Sequence, residues 1–226
     1  MSDAPTATPA ADRLIRMVRD RASVPEVISV LFNEYGLLDQ LEAVPSAKHP
    51  QGFLTFKLGL STDKKEALRF HVWLPNKREV SDQKDFPIHD HVFGFTSLLL
   101  TGNMTNHVYE VAPSLSETGN RLFRVDYTNV NEDTVVREPL PVSVTLASAI
   151  RHEASDYYSM EAGIYHTSVV PVETLTMTLL SARAAVDKAA PRMVGPASVP
   201  TPPVNRRPRP DQQDIHFIRQ ELSRLA

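Results

Sequence analysis

His89, Asp90 and His91 stand together in this chain, a glycine follows at Gly102, and a third histidine stands alone at His166. Side chains alternate along a β-strand, so a His-x-His pair places both imidazoles on one face. Two neutral imidazoles aimed at one point are half of a metal site. A third from a distant strand completes a facial triad that leaves coordination positions open for substrate and for oxygen or water. Burying the pair with nothing between the rings would leave polar groups unpaired, which favours a ligand there. By the same parity Asp90 points away from that face, as a partner behind the site rather than a ligand. The lone residues His49, His71, His152 and His216 read as ordinary core or surface histidines.

The elements around these residues follow from the same alternation. Residues 86–100 read as one extended run, with His89, His91, Phe93 and Phe95 on one face and Ile88, Asp90, Val92 and Gly94 on the other. Residues 101–103 read as a hairpin turn about Gly102, after which residues 104–111 run back. That reflection sets Tyr109 near Phe95 and His107 near Ser97, within reach of the cavity. His107 and Tyr109 are therefore the candidate catalytic groups, for acid–base work or for orienting substrate. Phe93, Phe95 and Trp73 would give a substrate pocket its apolar, water-excluding walls.

Across the whole chain the pattern is mainly β. Residues 1–11, rich in Pro, Ala and Thr, read as a disordered tail, and residues 12–50 as a helical N-terminal extension ending in a Pro-bounded linker. Leu14, Ile15, Met17 and Val18, then Val27, Ile28, Val30, Leu31, Tyr35, Leu38 and Leu41, recur at helical spacing and predict packing against the outside of a barrel. Short strand-like runs follow over 53–60, 67–74, 86–100, 104–111, 121–128, 142–149, 156–160, 164–171 and 174–181, which predicts a sandwich or barrel over residues 51–185. Residues 191–210 hold seven of the 18 prolines, together with Arg206, Arg207 and Arg209, an extended solvated tail. An amphipathic helix with Ile215, Ile218, Leu222 and Leu225 on one side closes residues 186–226 and should dock on the barrel.

His-x-His followed by Gly102 resembles the first cupin motif, and the segment from Met160 through Gly163 to His166 resembles the second. The resemblance implies a cupin double-stranded β-helix, that is, a jelly-roll barrel. Within that superfamily, residues 68–75 with Trp73, the Ile88-His89-Asp90-His91 segment and Gly163-Ile164-Tyr165-His166 are most similar to the thiol (cysteine-type) dioxygenases. Phe95 (or Thr96, if the loop is one residue longer) stands where cupins often carry a glutamate, so the implied metal shell is three histidines, as in those enzymes. Arg69 lies in the strand where they keep a carboxylate-binding arginine, which implies a substrate-binding role. The stretch Thr176-Met177-Thr178-Leu179-Leu180 has neither the histidine nor the tyrosine of their relay, and the chain has no cysteine for a thioether crosslink. Cysteine itself is thereby disfavoured as substrate. Cupins often dimerise, so a homodimer is a further implication.

Composition bounds the function classes. The chain has 226 residues, 42% hydrophobic and 23% charged, with a net charge of −3. Such a balance supplies no field for nucleic acid or an anionic membrane. Zero cysteines removes disulfides and thiolate ligands and fits a cytoplasmic protein. No run reaches the ~20 apolar residues of a membrane span, and residues 1–11 lack the basic and apolar regions of a secretory signal. A three-histidine shell leaves the metal's charge unneutralised. Fe(II) suits such a site when O2 is the co-substrate, while Zn, Ni, Mn or Cu would accept the same ligands. The expected activity is a non-haem Fe(II) oxygenase acting on a small polar substrate: a thiol, an amino acid or a pathway intermediate. A non-oxidative metal-dependent isomerase, lyase or hydrolase, or a non-catalytic ligand-binding cupin, are the alternatives.

Overall fold

A computed structural model describes residues 7–77, 86–129, 132–183, 190–199 and 204–225. The first helix, α1 (Pro9–Arg19), starts earlier than the expected tail allows. Pro9 occupies its first turn and the Thr8 hydroxyl accepts the amide of Ala11 at 3.1 Å, a capped start that a tail composition conceals. Residues 1–6 of that tail lie outside the described residues. Two short helices, α2 (Val24–Ser29) and α3 (Leu37–Gln40), flank a π-helical turn at Val30–Glu34. Gly36 separates the turn from α3 with φ +71°, a conformation suited to glycine.

Among the described residues thirteen strands follow: β1 (Ser46–His49), β2 (Phe53–Leu60), β3 (Glu66–Trp73), β4 (Ile88–His89), β5 (Phe95–Thr101), β6 (Asn103–Pro113), β7 (Asn120–Asn129), β8 (Glu132–Glu153), β9 (Tyr157–Met160), β10 (Tyr165–Val169), β11 (Thr176–Arg183), β12 (Arg192–Pro196) and β13 (Val204–Arg206). The last element is α4 (Gln212–Leu222). One sheet has the order β1-β2-β3-β11-β5-β9; the other runs β13-β8-β6-β10-β4-β12-β7, with β7 also pairing β8. Strands β3, β5, β9 and β11 thus share one sheet, and β4, β6, β8 and β10 the other. That alternation is the double-sheet jelly roll on which cupins are built.

Alternation along β3 shows how each sheet is used. Leu68, Phe70 and Val72 are fully buried beneath α1 and α4, packed with Leu14, Ile15, Val18, Ile215, Ile218 and Leu222. Arg69, His71 and Trp73 point the other way, into the space between the sheets. Full burial of a side chain such as Phe70 stabilises the fold by about 2–3 kcal/mol. Ile215, Ile218 and Leu222 of α4 belong to that same buried cluster, and the Asp211 carboxylate accepts the amide of Asp214 at 2.8 Å.

Two expectations about the strands near the histidines do not hold. Residues 86–100 are not one strand, because β4 and β5 belong to different sheets and residues 90–94 carry the chain across. Cross-chain bonds hold the crossover: Asp90 donates its amide to the Arg192 carbonyl, Gly163 donates to the His91 carbonyl and Arg183 donates to the Gly94 carbonyl. Nor is there a hairpin about Gly102. β5 pairs β11 and β9, β6 pairs β10 and β8, and Gly102 turns the chain from one sheet to the other. The arginine- and proline-bearing tail is also more ordered than its composition suggests. Apolar Met193 and Val194 let Arg192–Pro196 insert as a strand between β4 and β7.

Gly102 has φ +79°, and a Cβ there would meet the Leu175 carbonyl and Thr176 Oγ1 at 2.3 Å. Gly102→Ala should therefore destabilise the protein by about 2 kcal/mol or more. Urea unfolding with an unchanged midpoint would show that the crossover tolerates a side chain.

Candidate metal centre

Strand β4 lies between β10 and β12, with His89 directly opposite His166 and also opposite Met193. His91 follows two residues on, just past the end of the strand, and its ring still returns to the same face. The ligating nitrogens available from His89, His91 and His166 all lie within 4.8 Å of one another. Ring centroids are 4.5 Å apart for His89 and His166, 5.0 Å for His89 and His91, and 5.1 Å for His91 and His166. His89 Nδ1 is 3.1 Å from the Pro87 carbonyl, and His166 Nδ1 is 3.1 Å from the Ile164 carbonyl. A neutral imidazole that donates through Nδ1 keeps its lone pair on Nε2, the form in which histidine binds a metal. Among the described residues no carboxylate joins this cluster.

Burial keeps the three rings neutral. It is the main cause that lowers His89, while the Pro87 carbonyl and the Asp90 charge pull the other way. His91 is held well below its ordinary value by burial, reinforced by the neighbouring His89, His166 and Arg69. His166 is pushed down to about 3 by burial and then by His89. Neutral rings bind a cation without first releasing a proton, so these shifts favour the donor set at neutral pH.

The histidines open on a cavity of about 410 Å³ between the two sheets. Phe93, Phe95, Trp73, Phe53 and Leu180 form its apolar wall. Phe93 stacks on His91 at 4.9 Å, and Phe95 lies 5.7 Å from the His91 ring and 6.4 Å from that of His166. Arg69 also lines the cavity, its guanidinium 4.9 Å from the Phe93 ring centroid. The structure thus brings Arg69, Trp73, Phe93 and Phe95 together with the three histidines.

It does not bring His107 and Tyr109 there. On β6, His107 pairs with Thr167 and Tyr109 with Tyr165, the two residues flanking His166. Their side chains therefore lie on the far face of β10 from the His166 ring. Tyr109 packs with Leu122, Tyr165 and Val194, and its hydroxyl is 3.4 Å from Thr167 Oγ1. The absent hairpin at Gly102 is the reason: β6 does not fold back over Phe95.

In their place the cavity holds His49, His71 and Tyr158. His49 stacks on Phe53 at 4.3 Å, and Phe53 lies 4.8 Å from both His71 and Trp73. Burial, then Arg69, pushes His71 down to about 3, and burial, then Arg207, holds His49 well below its ordinary value. Strand parity signals His71, since it shares a face with Arg69 and Trp73. His49 has no comparable sequence signal, because its place depends on β1 folding over β2 so that it sits opposite Phe53.

No protein-family model matches the chain, and no curated protein is recognisably related in sequence. Solved structures are similar at low identity. A chain from the crystal structures of DMSP lyases RdDddP and RnDddQII is 15% identical over 85% of this chain and 81% of its own, with a TM-score of 0.44. An RmlC-like cupin from Shewanella frigidimarina NCIMB 400 is 13% identical over 65% of this chain and 88% of its own, with a TM-score of 0.33. Hydroquinone 1,2-dioxygenase from Sphingomonas sp. TTNP3 is 12% identical over 57% of this chain and 65% of its own, with a TM-score of 0.32.

A histidine held below its ordinary value takes up its proton only on unfolding, so it favours the folded state above pH 6.5 and loses that effect as pH falls. For His166 and His71 the loss extends from 6.5 down to about 3. The metal-free protein should be stable to urea above about pH 7 and weaken below it, each such group adding up to about 1.4 kcal/mol per pH unit. His71→Phe should flatten that decline by one group's share. A pH profile superimposable on that of the parent protein would contradict the placement of His71.

Proposed function

We propose that this chain is a mononuclear metal-dependent enzyme: a non-haem iron(II) oxygenase that reacts a small polar substrate, such as a thiol, an amino acid or a pathway intermediate, with O2. The observation that carries this reading is the convergence of three neutral imidazoles, with no carboxylate among them, on a cavity with apolar walls. His89, His91 and His166 would hold the metal through Nε2. Iron(II) held by these residues would supply redox chemistry with O2.

The chain's own residues then bind, orient and shield. Phe53, Trp73, Phe93 and Phe95 exclude water from the reacting end of the cavity. Arg69 orients an acidic group of the substrate through its planar fork. His49 Nδ1 accepts the amide hydrogen of Gln51 at 3.2 Å, so neutral His49 carries its own hydrogen on Nε2. His49 and His71, rather than His107 and Tyr109, are the groups positioned to exchange a proton with a bound substrate. The enzyme acts on a small molecule and works in the cytoplasm.

Protein purified without added metal should carry about one divalent ion per chain, and single alanine replacements of His89, His91 or His166 should lose it. Full metal content in His166→Ala would sink the triad. Fe(II)-loaded protein should consume O2 with at least one member of a panel of thiols and amino acids. Metal-dependent elimination, isomerisation or hydrolysis with no O2 uptake would replace the oxygenase reading with the non-oxidative one.

A further inference from the structure

The far face of the strands that carry the histidines bears its own polar assembly. His89 and His91 point into the cavity and Asp90, between them, points back, where it is 4% exposed. Both Asp90 oxygens are engaged by one residue. Oδ1 accepts the Arg192 amide at 2.6 Å, and Oδ2 accepts Nε at 2.9 Å and Nη2 at 2.8 Å. The Asp90 amide returns a bond to the Arg192 carbonyl at 2.9 Å. The same guanidinium lies 5.2 Å from the ring centroid of Tyr165, the residue before His166. One side chain from β12 therefore touches the two separate segments that carry the metal ligands.

We propose that Arg192 is a positioning residue that locks the His89–His91 segment to the His166 segment and so sets the spacing of the three imidazoles. The proposal rests on the metal-centre reading above. Asp90 cannot shift without breaking four hydrogen bonds, and its shift would move both neighbouring histidines. Tyr165 cannot rotate its backbone without leaving the guanidinium, and His166 would follow. An arginine is required because the contact combines a planar fork to a carboxylate with a flat face on an aromatic ring. Lysine offers a point charge and neither geometry. The lock comes from a strand that follows the jelly-roll strands in the chain, so the spacing of the donor set depends on β12 being seated.

Co(II) titration of the metal-free protein, followed by its d–d absorption, reads both affinity and ligand geometry. Arg192→Lys and Asp90→Asn should bind Co(II) about 10–100-fold more weakly than the parent protein, with an altered spectrum. Tyr165→Leu, which removes the ring beneath the guanidinium, should also weaken binding. Tyr165→Phe should match the parent, since the Tyr165 hydroxyl has no hydrogen-bond partner among the described residues. This pair decides the matter even if the Arg192 variant does not fold. Lys77→Met removes the partner of the equally buried Asp214 carboxylate, neither residue lining the cavity, and should leave Co(II) affinity unchanged. Parent-like affinity and spectrum in folded Arg192→Lys and Tyr165→Leu would overturn the lock while leaving the metal centre intact. An equal loss in Lys77→Met would overturn it as mere destabilisation. Failure of the parent protein to bind Co(II) would remove the metal centre and the lock together.

Discussion

Strand β4 is two residues long, and the candidate site depends on how that short strand is held. A pairing so brief has too few ladder bonds to keep its own register, so its neighbours must supply it. Strand β10 meets one edge and sets His89 opposite His166. Strand β12 meets the other and sets Met193 opposite His89 and Val194 opposite Ile88. A slip of one residue would turn His89 to the far face and Asp90 into the cavity, exchanging a neutral donor for a buried charge. The four bonds between Asp90 and Arg192 oppose that slip.

With the register set, the two sheets divide the chemistry. The sheet holding β4 and β10 supplies the three imidazoles, and the facing sheet supplies Phe53, Arg69, His71 and Trp73. The side chains packed around the cavity also bury the rings, and burial disfavours their charged forms. The neutrality of the rings and the acid sensitivity of the fold therefore share one cause. Phe95 helps to close the cavity beside His91 and His166.

Much of this is legible in the chain, and the failures have physical reasons. Alternation makes β2 and β3 readable, because one face packs under helices and the other does not. Helical spacing likewise exposes α1 and α4, whose stripes end in the same core. The three histidines are readable because parity and motif spacing agree. The partner of β5 is not: a glycine with positive φ marks a change of direction without saying which sheet receives the chain. That ambiguity at Gly102 misplaces His107 and Tyr109. Strand β12 hides in a proline- and arginine-rich stretch because five residues of strand need only Met193 and Val194 to be buried, one on each face. His49 reaches the cavity only because β1 folds over β2, and Arg192 acts through Asp90, 102 positions away, where single-residue patterns carry no information.

The most direct test of the central claim is a crystal structure of the metal-loaded protein with anomalous data collected at the metal's absorption edge. One peak should appear in the cavity, about 2.0–2.2 Å from Nε2 of His89, His91 and His166 together. A peak elsewhere, or one bound by only two of these imidazoles, would contradict the three-histidine centre.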